Sequence, residues 1–332
     1  MKRAANRECR EKNMKDIFSE SFIKALKTHD TVEIRKIPKS DLHNHFVLGG
    51  DRKYILETSG ISIPAFHGVL SSMQDMHRWN DTYLGGKFDS KEKRKLLIEA
   101  AFVQAKNDGI KILEIGEDVW ALGHFFNNNI NELIDAFTTA NKVIAPEIEL
   151  RLQIGLSRHC SVDYLMRCLE PFWGVNTFYS IDLYGDELAQ PIENFIPIYK
   201  LAKANGLRLK AHIGEWGTAD DVREGVELLE LDEIQHGIAA ADSDSVMEYL
   251  VKNHIRLNIT PTSNIMLGRV KEMKEHPIQK LFRSGVDVTI NSDDILIFDS
   301  DVSKEYCRLF ESSTLTAEEL DSIRINGLRE VR

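Results

Sequence analysis

An excess of positive charge is what this sequence most conspicuously lacks. Its 42 Lys and Arg stand against 52 Asp and Glu, for a formal net charge of −10. A polynucleotide surface needs clustered cations, so polynucleotide partners are not expected, although a local pocket can still take a small anion. The H-x-E…P-C-x-x-C pattern of nucleic-acid base deaminases is absent as well. The four cysteines, Cys9, Cys160, Cys168 and Cys307, contain no C-x-x-C spacing, so reduced thiols are expected rather than a disulfide framework or a thiolate metal knot. Residues Met1 to Lys27 scatter charges and hold no apolar core, which argues against a signal peptide or membrane anchor. A cytoplasmic location is the resulting expectation. No Pro/Gly/Ser-rich spacer divides the chain either, so residues 32–332 read as one domain preceded by a helical extension over 1–31.

What is present is ample material for one core: 332 residues, 42% hydrophobic and 28% charged. Arg10 to His29 reads as an amphipathic helix with Phe18, Phe22, Ile23 and Leu26 on one side, suited to packing on the domain or joining an oligomer. Short β-branched runs then alternate with helical stretches. The expected strands are Ile37 to Phe46, Ile110 to Ile115, Leu150 to Leu156, Phe178 to Leu183, Leu207 to Ile213, Glu233 to Ile238, Ile255 to Thr260 and Asp287 to Asn291. Helices are expected over Asn131 to Val143, Val162 to Leu169, Asn194 to Ala204, Asp221 to Leu229 and Ser245 to Lys252. Thr218 and Asp221 have the spacing of a capping box. This alternation implies parallel βαβ units, and eight repeats imply an α/β fold closed into a (β/α)8 TIM-type barrel. The long interval from Gly50 to Gly109 must hold an extra helical insertion after strand 1, where barrels build lids and pockets.

The chemistry-bearing residues cluster at the expected strand ends. His43-Asn44-His45 closes the first, His212-Ile213-Gly214-Glu215 the fifth, His236-Gly237 the sixth, and Asn291-Ser292-Asp293-Asp294 the eighth. Residues i and i+2 of an extended chain point the same way, so both imidazoles of the first motif can face the barrel mouth. Three imidazoles (His43, His45, His212) and the Asp293 carboxylate form a mixed N/O donor set that suits one zinc ion with room for water. Glu215, three residues past a ligand, is placed to pass a proton to a substrate ring nitrogen. His236 can stand beside the attacking water, and Asp294 can accept a hydrogen bond or hold a proton. The remaining histidines, His159 apart, read as structural or surface groups.

These motifs, together with Ser180-Ile-Asp-Leu-Tyr-Gly-Asp-Glu187 and Gln235-His236-Gly237, stand in the order found in the adenosine deaminase family, which the chain resembles from about Pro38 to about Asn326. The resemblance implies a mononuclear zinc site on His43, His45, His212 and Asp293. It implies that Glu215 protonates purine N1, His236 assists the water, Asp294 meets N7, and the Gly185 backbone meets N3. The activity implied is hydrolytic removal of the 6-amino group of an adenine nucleoside or nucleotide. Other metal-hydrolase barrels share the opening H-x-H, but many bridge two metals with a strand-4 lysine; here that strand reads Ile181-Asp182-Leu183-Tyr184-Gly185. A catalytically silent nucleoside-binding protein would have lost a ligand or Glu215, and this chain keeps them.

The sequence departs from the family pattern at Val47, where relatives commonly carry a carboxylate that contacts the ribose 5′-hydroxyl. Gly116 falls near a position where many carry arginine. Valine cannot accept that hydrogen bond, and losing a carboxylate there permits a 5′-phosphate. Arg52 and Lys53, at a glycine turn opening a helix, and Arg158 with His159 are candidate anion contacts. AMP or dAMP therefore joins adenosine and deoxyadenosine as an expected substrate.

Overall fold

The computed structural model describes residues 18–329. Eight strands lie in sequential order, each parallel to the next: β1 Lys39–Asp41, β2 Ile110–Asp118, β3 Glu149–Ser157, β4 Phe178–Tyr184, β5 Arg208–Ile213, β6 Glu233–His236, β7 Arg256–Ile259 and β8 Asp287–Ile290. All eight expected strands are present. Helices follow them as expected, including Ile130–Ile144, Val162–Leu169, Ile196–Ala204, Ala219–Leu229 and Asp244–Lys252. The capping box forms between Thr218 and Asp221. Among the described residues no helix is long and apolar enough to cross a membrane.

Most strand ends shift by one to three residues, and the largest difference is in the first. The first strand was expected over Ile37 to Phe46, yet the ladder ends at Asp41. Side chains take over the backbone partners there: the Leu42 amide donates to Asn291 Oδ1 at 2.8 Å, and Asn44 donates to Asp41 and Ser292. The seam between β8 and β1 is closed by a single parallel bridge, Asn44 with Asp293, and the Asp293 amide donates to the His43 carbonyl. His43 and His45 therefore lie on the closure itself, beyond the regular strand.

Strand side chains alternate, as the pleat requires. In β5, Leu209, Ala211 and Ile213 are buried with the apolar core, while Lys210 belongs to a layer of polar groups inside the barrel. Lys210 is wholly buried, its Nζ 2.8 Å from Glu114 and 3.0 Å from Glu233. Ser180 donates to Glu114, Asn258 to Glu233, Thr289 to Asn258, and Asn291 to Thr289, at 2.5 to 2.9 Å. This chain of contacts runs from β4 round to the segment after β8. From there Asn291 reaches Leu42.

The insertion between β1 and β2 contains helices Arg52–Ser59, Met73–Tyr83 and Lys91–Asn107. At the N-terminal side, residues 18–27 are helical; the part of the expected helix over 10–17, and Cys9, lie outside the described residues. Phe22 and Leu26 are buried, Phe22 edge-on to Tyr306 at 5.2 Å, so that apolar face packs within the chain.

Replacing Lys210 by Met should leave Glu114 and Glu233 facing each other without a counter-charge. Breaking such a buried set costs about 3–5 kcal/mol, which a denaturant titration of the variant against the unmodified protein reads directly.

Candidate active site

The four ends β1, β5, β6 and β8 bring His43, His45, His212, His236, Asp293 and Asp294 to one point at the C-terminal mouth. His45 Nε2 lies 3.3 Å from His212 Nε2 and 3.5 Å from Asp293 Oδ1; His43 Nε2 lies 3.7 Å from the same oxygen. The three imidazole donors His43, His45 and His212 fall within 4.8 Å of one another, as do His43, His236 and Asp293. His236 and Asp293 both adopt left-handed backbone, φ 64° and φ 62°, a conformation side chains rarely take.

Each buried imidazole is oriented from behind. His43 Nδ1 is 3.1 Å from the Asn258 carbonyl, which can only accept, so Nδ1 carries the proton and Nε2 presents a lone pair. That Nε2 is buried and makes no hydrogen bond. His212 Nδ1 meets Asp182 Oδ1 at 3.3 Å, leaving its Nε2 toward His45. Such outer partners fix the tautomer a metal-binding histidine needs. Several nitrogen lone pairs and a carboxylate converging without donors between them are costly unless a cation fills the gap. The residues thus fit a divalent metal.

Burial sets the proton inventory. It holds His43 down at about 3, and with the neighbouring imidazoles keeps His236 well below its ordinary range, so both are neutral. Burial also disfavours charge on His212, but Asp182 outweighs it and raises the pKa; Asp182, buried yet facing His212, is lowered to about 2. Glu215 is pushed up to about 8 by burial and then by the Asp293 charge. Asp294 is raised well above the carboxylate range by burial, Asp293 and Glu215, and its Oδ1 makes no hydrogen bond. Burial thus favours the protonated form of both carboxyl groups beside the cluster, as proton donors require.

A cavity of about 570 Å³ opens from the cluster, a size typical of small-molecule sites. His45, His212, His236, Glu215, Asp293, Asp294 and Gly185 line it. Gly185 has φ 94° and presents backbone beside Tyr184, whose ring is 5.2 Å from that of His45. Val47 lines the cavity, and the insertion contributes further lining residues between Met73 and Asp89.

The expected anion contacts do not gather here. Arg52 is absent from the lining: its guanidinium donates to the Ile63 carbonyl at 2.7 Å and the Leu296 carbonyl at 3.0 Å. The helix start beside it is capped by Asp51, so an acid already holds the free amide. Lys53 is exposed and near Glu57. Arg158 is buried behind the wall, donating to the Gln190 carbonyl, although its neighbour His159 does line the cavity. At Gly116 a Cβ would stand 1.7 Å from the Gln153 carbonyl oxygen, so this backbone leaves no room for an arginine.

Sequence reasoning missed several lining groups. His77, read as structural or surface, faces the cavity. Arg94 lines it too, held by both Glu117 oxygens and sandwiched by Phe46 and Phe125. Asp118 accepts from Ser157 and from Tyr184, the latter at 3.2 Å, and burial raises it to about 6. Glu187, quoted only as part of a motif, accepts the backbone N–H groups of Gly214, Glu215, Trp216 and Gly217. A glutamate just past a strand end was the available signal for that last contact.

Comparison with known proteins places this geometry. The family model described as adenosine deaminase matches residues 38–331. A putative adenosine/adenine deaminase of Treponema pallidum is 31% identical over 293 residues, covering 87% of this chain and 98% of that protein. The crystal structure of an adenine deaminase from Arthrobacter aurescens superposes with TM-score 0.74 at 24% identity, covering 88% and 93% of the two chains. An amidohydrolase from Burkholderia ambifaria with bound Zn superposes with TM-score 0.73 at 18% identity, over 89% and 85%.

Because His43, His45 and Asp293 flank the β8–β1 seam, a metal held by them would brace it, so a chelator should lower the melting temperature and zinc should restore it. Asp293→Ala and His212→Ala should bind less metal by elemental analysis and show little or no zinc-induced shift. Asp182→Asn should weaken metal affinity by about 10–100-fold through its effect on His212.

Proposed function

The chain belongs to the adenosine deaminase family and is a hydrolytic deaminase, and from that premise we propose that it acts on adenine or an uncharged adenine nucleoside. The observation that carries this choice is the charge of the cavity wall. Arg94 is the only Lys or Arg among the described residues that line it, and Glu117 already neutralises that cation. The other charged groups away from the cluster are the acids Asp81, Asp89 and Asp118. A 5′-phosphate would enter a site with no unpaired cation and several carboxyls, whereas N–H and O–H donors of a base or sugar find acceptors there.

His43, His45, His212 and Asp293 would hold a zinc ion, the metal best matched to three nitrogens and one oxygen. When bound, it supplies Lewis acidity that lowers the pKa of water toward neutrality. The Gly185 backbone and the protonated Asp294 would fix the purine at N3 and N7. Neutral His236, its Nδ1 engaged by the Thr260 hydroxyl at 3.0 Å, offers Nε2 to take a proton from the attacking water. Glu215 would give its proton to N1 as the water oxygen bonds to C6, so charge does not build up on the ring. As the C6–N6 bond breaks, the proton held by His236 passes to N6 and ammonia leaves, while the C6 hydroxyl proton returns to Glu215 and the 6-oxopurine remains.

Turnover of adenine, adenosine, deoxyadenosine and AMP by the zinc-loaded protein, followed by the adenine chromophore and ammonia release, tests the reading. Adenine or adenosine should exceed AMP by about a hundredfold or more in kcat/KM, given the like-charge penalty; a preference for AMP would overturn it. Glu215→Gln should retain metal and lose about 10²–10⁴ in kcat. Since the donor form of Glu215 exists below its pKa, kcat/KM should fall as pH rises through about 8.

A further inference from the structure

Glu215 is gripped by groups that neither the ligand set nor the strand-end motifs account for. Trp216 Nε1 donates to Glu215 Oε2 at 3.0 Å. On the other oxygen, Asn264 Nδ2 approaches Oε1 at 3.4 Å. The orientation of that amide follows from its neighbour. His276 Nδ1 accepts the Ile278 N–H at 3.1 Å, so its proton sits on Nε2, which meets Asn264 Oδ1 at 3.2 Å. The Asn264 NH2 is thereby turned toward Glu215. Burial keeps His276 neutral, at about 3.

The indole is itself clamped. The Arg269 guanidinium stacks over the Trp216 ring at 4.2 Å, and the Arg269 and Val270 amides both donate to the Asn264 carbonyl. One short segment after β7 therefore holds Asn264 on one side of Glu215 and the cation above Trp216 on the other. From below, Glu187 accepts the four amides of Gly214 to Gly217, which freezes the turn carrying both residues.

We propose that Trp216, clamped by Arg269, is a positioning residue for Glu215: its indole N–H aims the carboxyl and leaves the proton of that group facing the cavity. The chemistry follows from donor and acceptor capacity. An indole N–H can only donate, and so can the amide face of Asn264 that is presented here. Neither can receive the Glu215 proton, so these contacts hold the oxygens in place while the proton remains available to a substrate nitrogen. His236 Nδ1, 3.4 Å from Oε1, is engaged by Thr260. The inference rests on Glu215 as the proton donor of the proposed reaction.

Two readouts separate the parts. Indole N–H resonances of the zinc-loaded protein are recorded by proton–nitrogen correlation NMR, with the Trp216 signal identified by its loss in Trp216→Phe. Glu215→Gln should move that signal and leave those of Trp79, Trp120 and Trp173 in place; an unmoved Trp216 signal overturns the contact whatever the enzyme turns over. On the best purine substrate, Trp216→Phe keeps the ring and deletes the N–H. It should lower kcat by about tenfold or more with KM within about twofold and metal content unchanged, the size expected for one hydrogen bond that strengthens as the departing proton leaves charge on the carboxyl. An unchanged kcat, or a loss confined to KM, overturns the role. Arg269→Met, which leaves the N–H in place and removes the clamp, should shift the same resonance and lower kcat by a smaller factor; should Trp216→Phe not fold, an unaltered resonance and kcat in Arg269→Met overturn the proposal. Absence of turnover on every purine by the unmodified protein would remove the proposed function while the resonance test still decides the contact.

Discussion

A lysine ammonium sealed inside the barrel is the constraint from which the rest of the site follows. Lys210 has no access to water and must sit between Glu114 and Glu233, which ties β2, β5 and β6 at one level. Glu233 then holds Asn258, Asn258 holds Thr289, and Thr289 holds Asn291. The same Asn258 offers its carbonyl to His43, and Asn291 takes the Leu42 amide just before it. Each link is a buried polar group that would be costly alone, so the layer is stable only when complete. Its upper edge is the floor of the active site.

The barrel seam and the candidate metal donors coincide for the same reason. Regular pairing between β8 and β1 gives way to side-chain contacts and one bridge, and that irregular stretch carries His43 and His45 opposite Asp293. Departure from the ladder frees backbone to turn imidazoles inward, while Asn291 accepts the Leu42 amide and Asp41 the Ser292 amide that the ladder no longer pairs. A cation joining both sides would replace lost strand pairing with coordination. Around this point burial and neighbouring carboxylates raise Glu215 and Asp294 and favour their protonated forms, and the contacts to Glu215 from Trp216 and Asn264 come from groups that only donate.

The walls that select a substrate come from a different source. The Met73 to Asp89 stretch of the insertion supplies part of the lining, and the ends of β2 to β4 supply Asp118, Ser157, His159 and Tyr184. Guanidiniums near the mouth are already committed, Arg94 to Glu117 and Arg52 to two carbonyls. The wall therefore presents carboxyl acceptors rather than uncommitted guanidiniums, and the proposed preference for an uncharged purine rests on that.

The sequence by itself determined the eight-fold alternation of strand and helix, because periodicity and capping depend on residues two to four positions apart. It also determined which donor types stand at the strand ends, and hence the character of the reaction. Tertiary structure alone decided which charges are free to meet a ligand. Arg52 looked available at a glycine turn, yet Leu296, 244 residues away, takes one of its N–H groups. The early end of the β1 ladder was equally invisible, since the Leu42 amide is claimed by Asn291 across 249 residues. Asp182 behind His212 and Asn264 beside Glu215 are likewise distant in the chain. Local patterns are written in neighbouring residues, whereas hydrogen-bond partners and electrostatic environment depend on distance through space, which exists only once the barrel has closed.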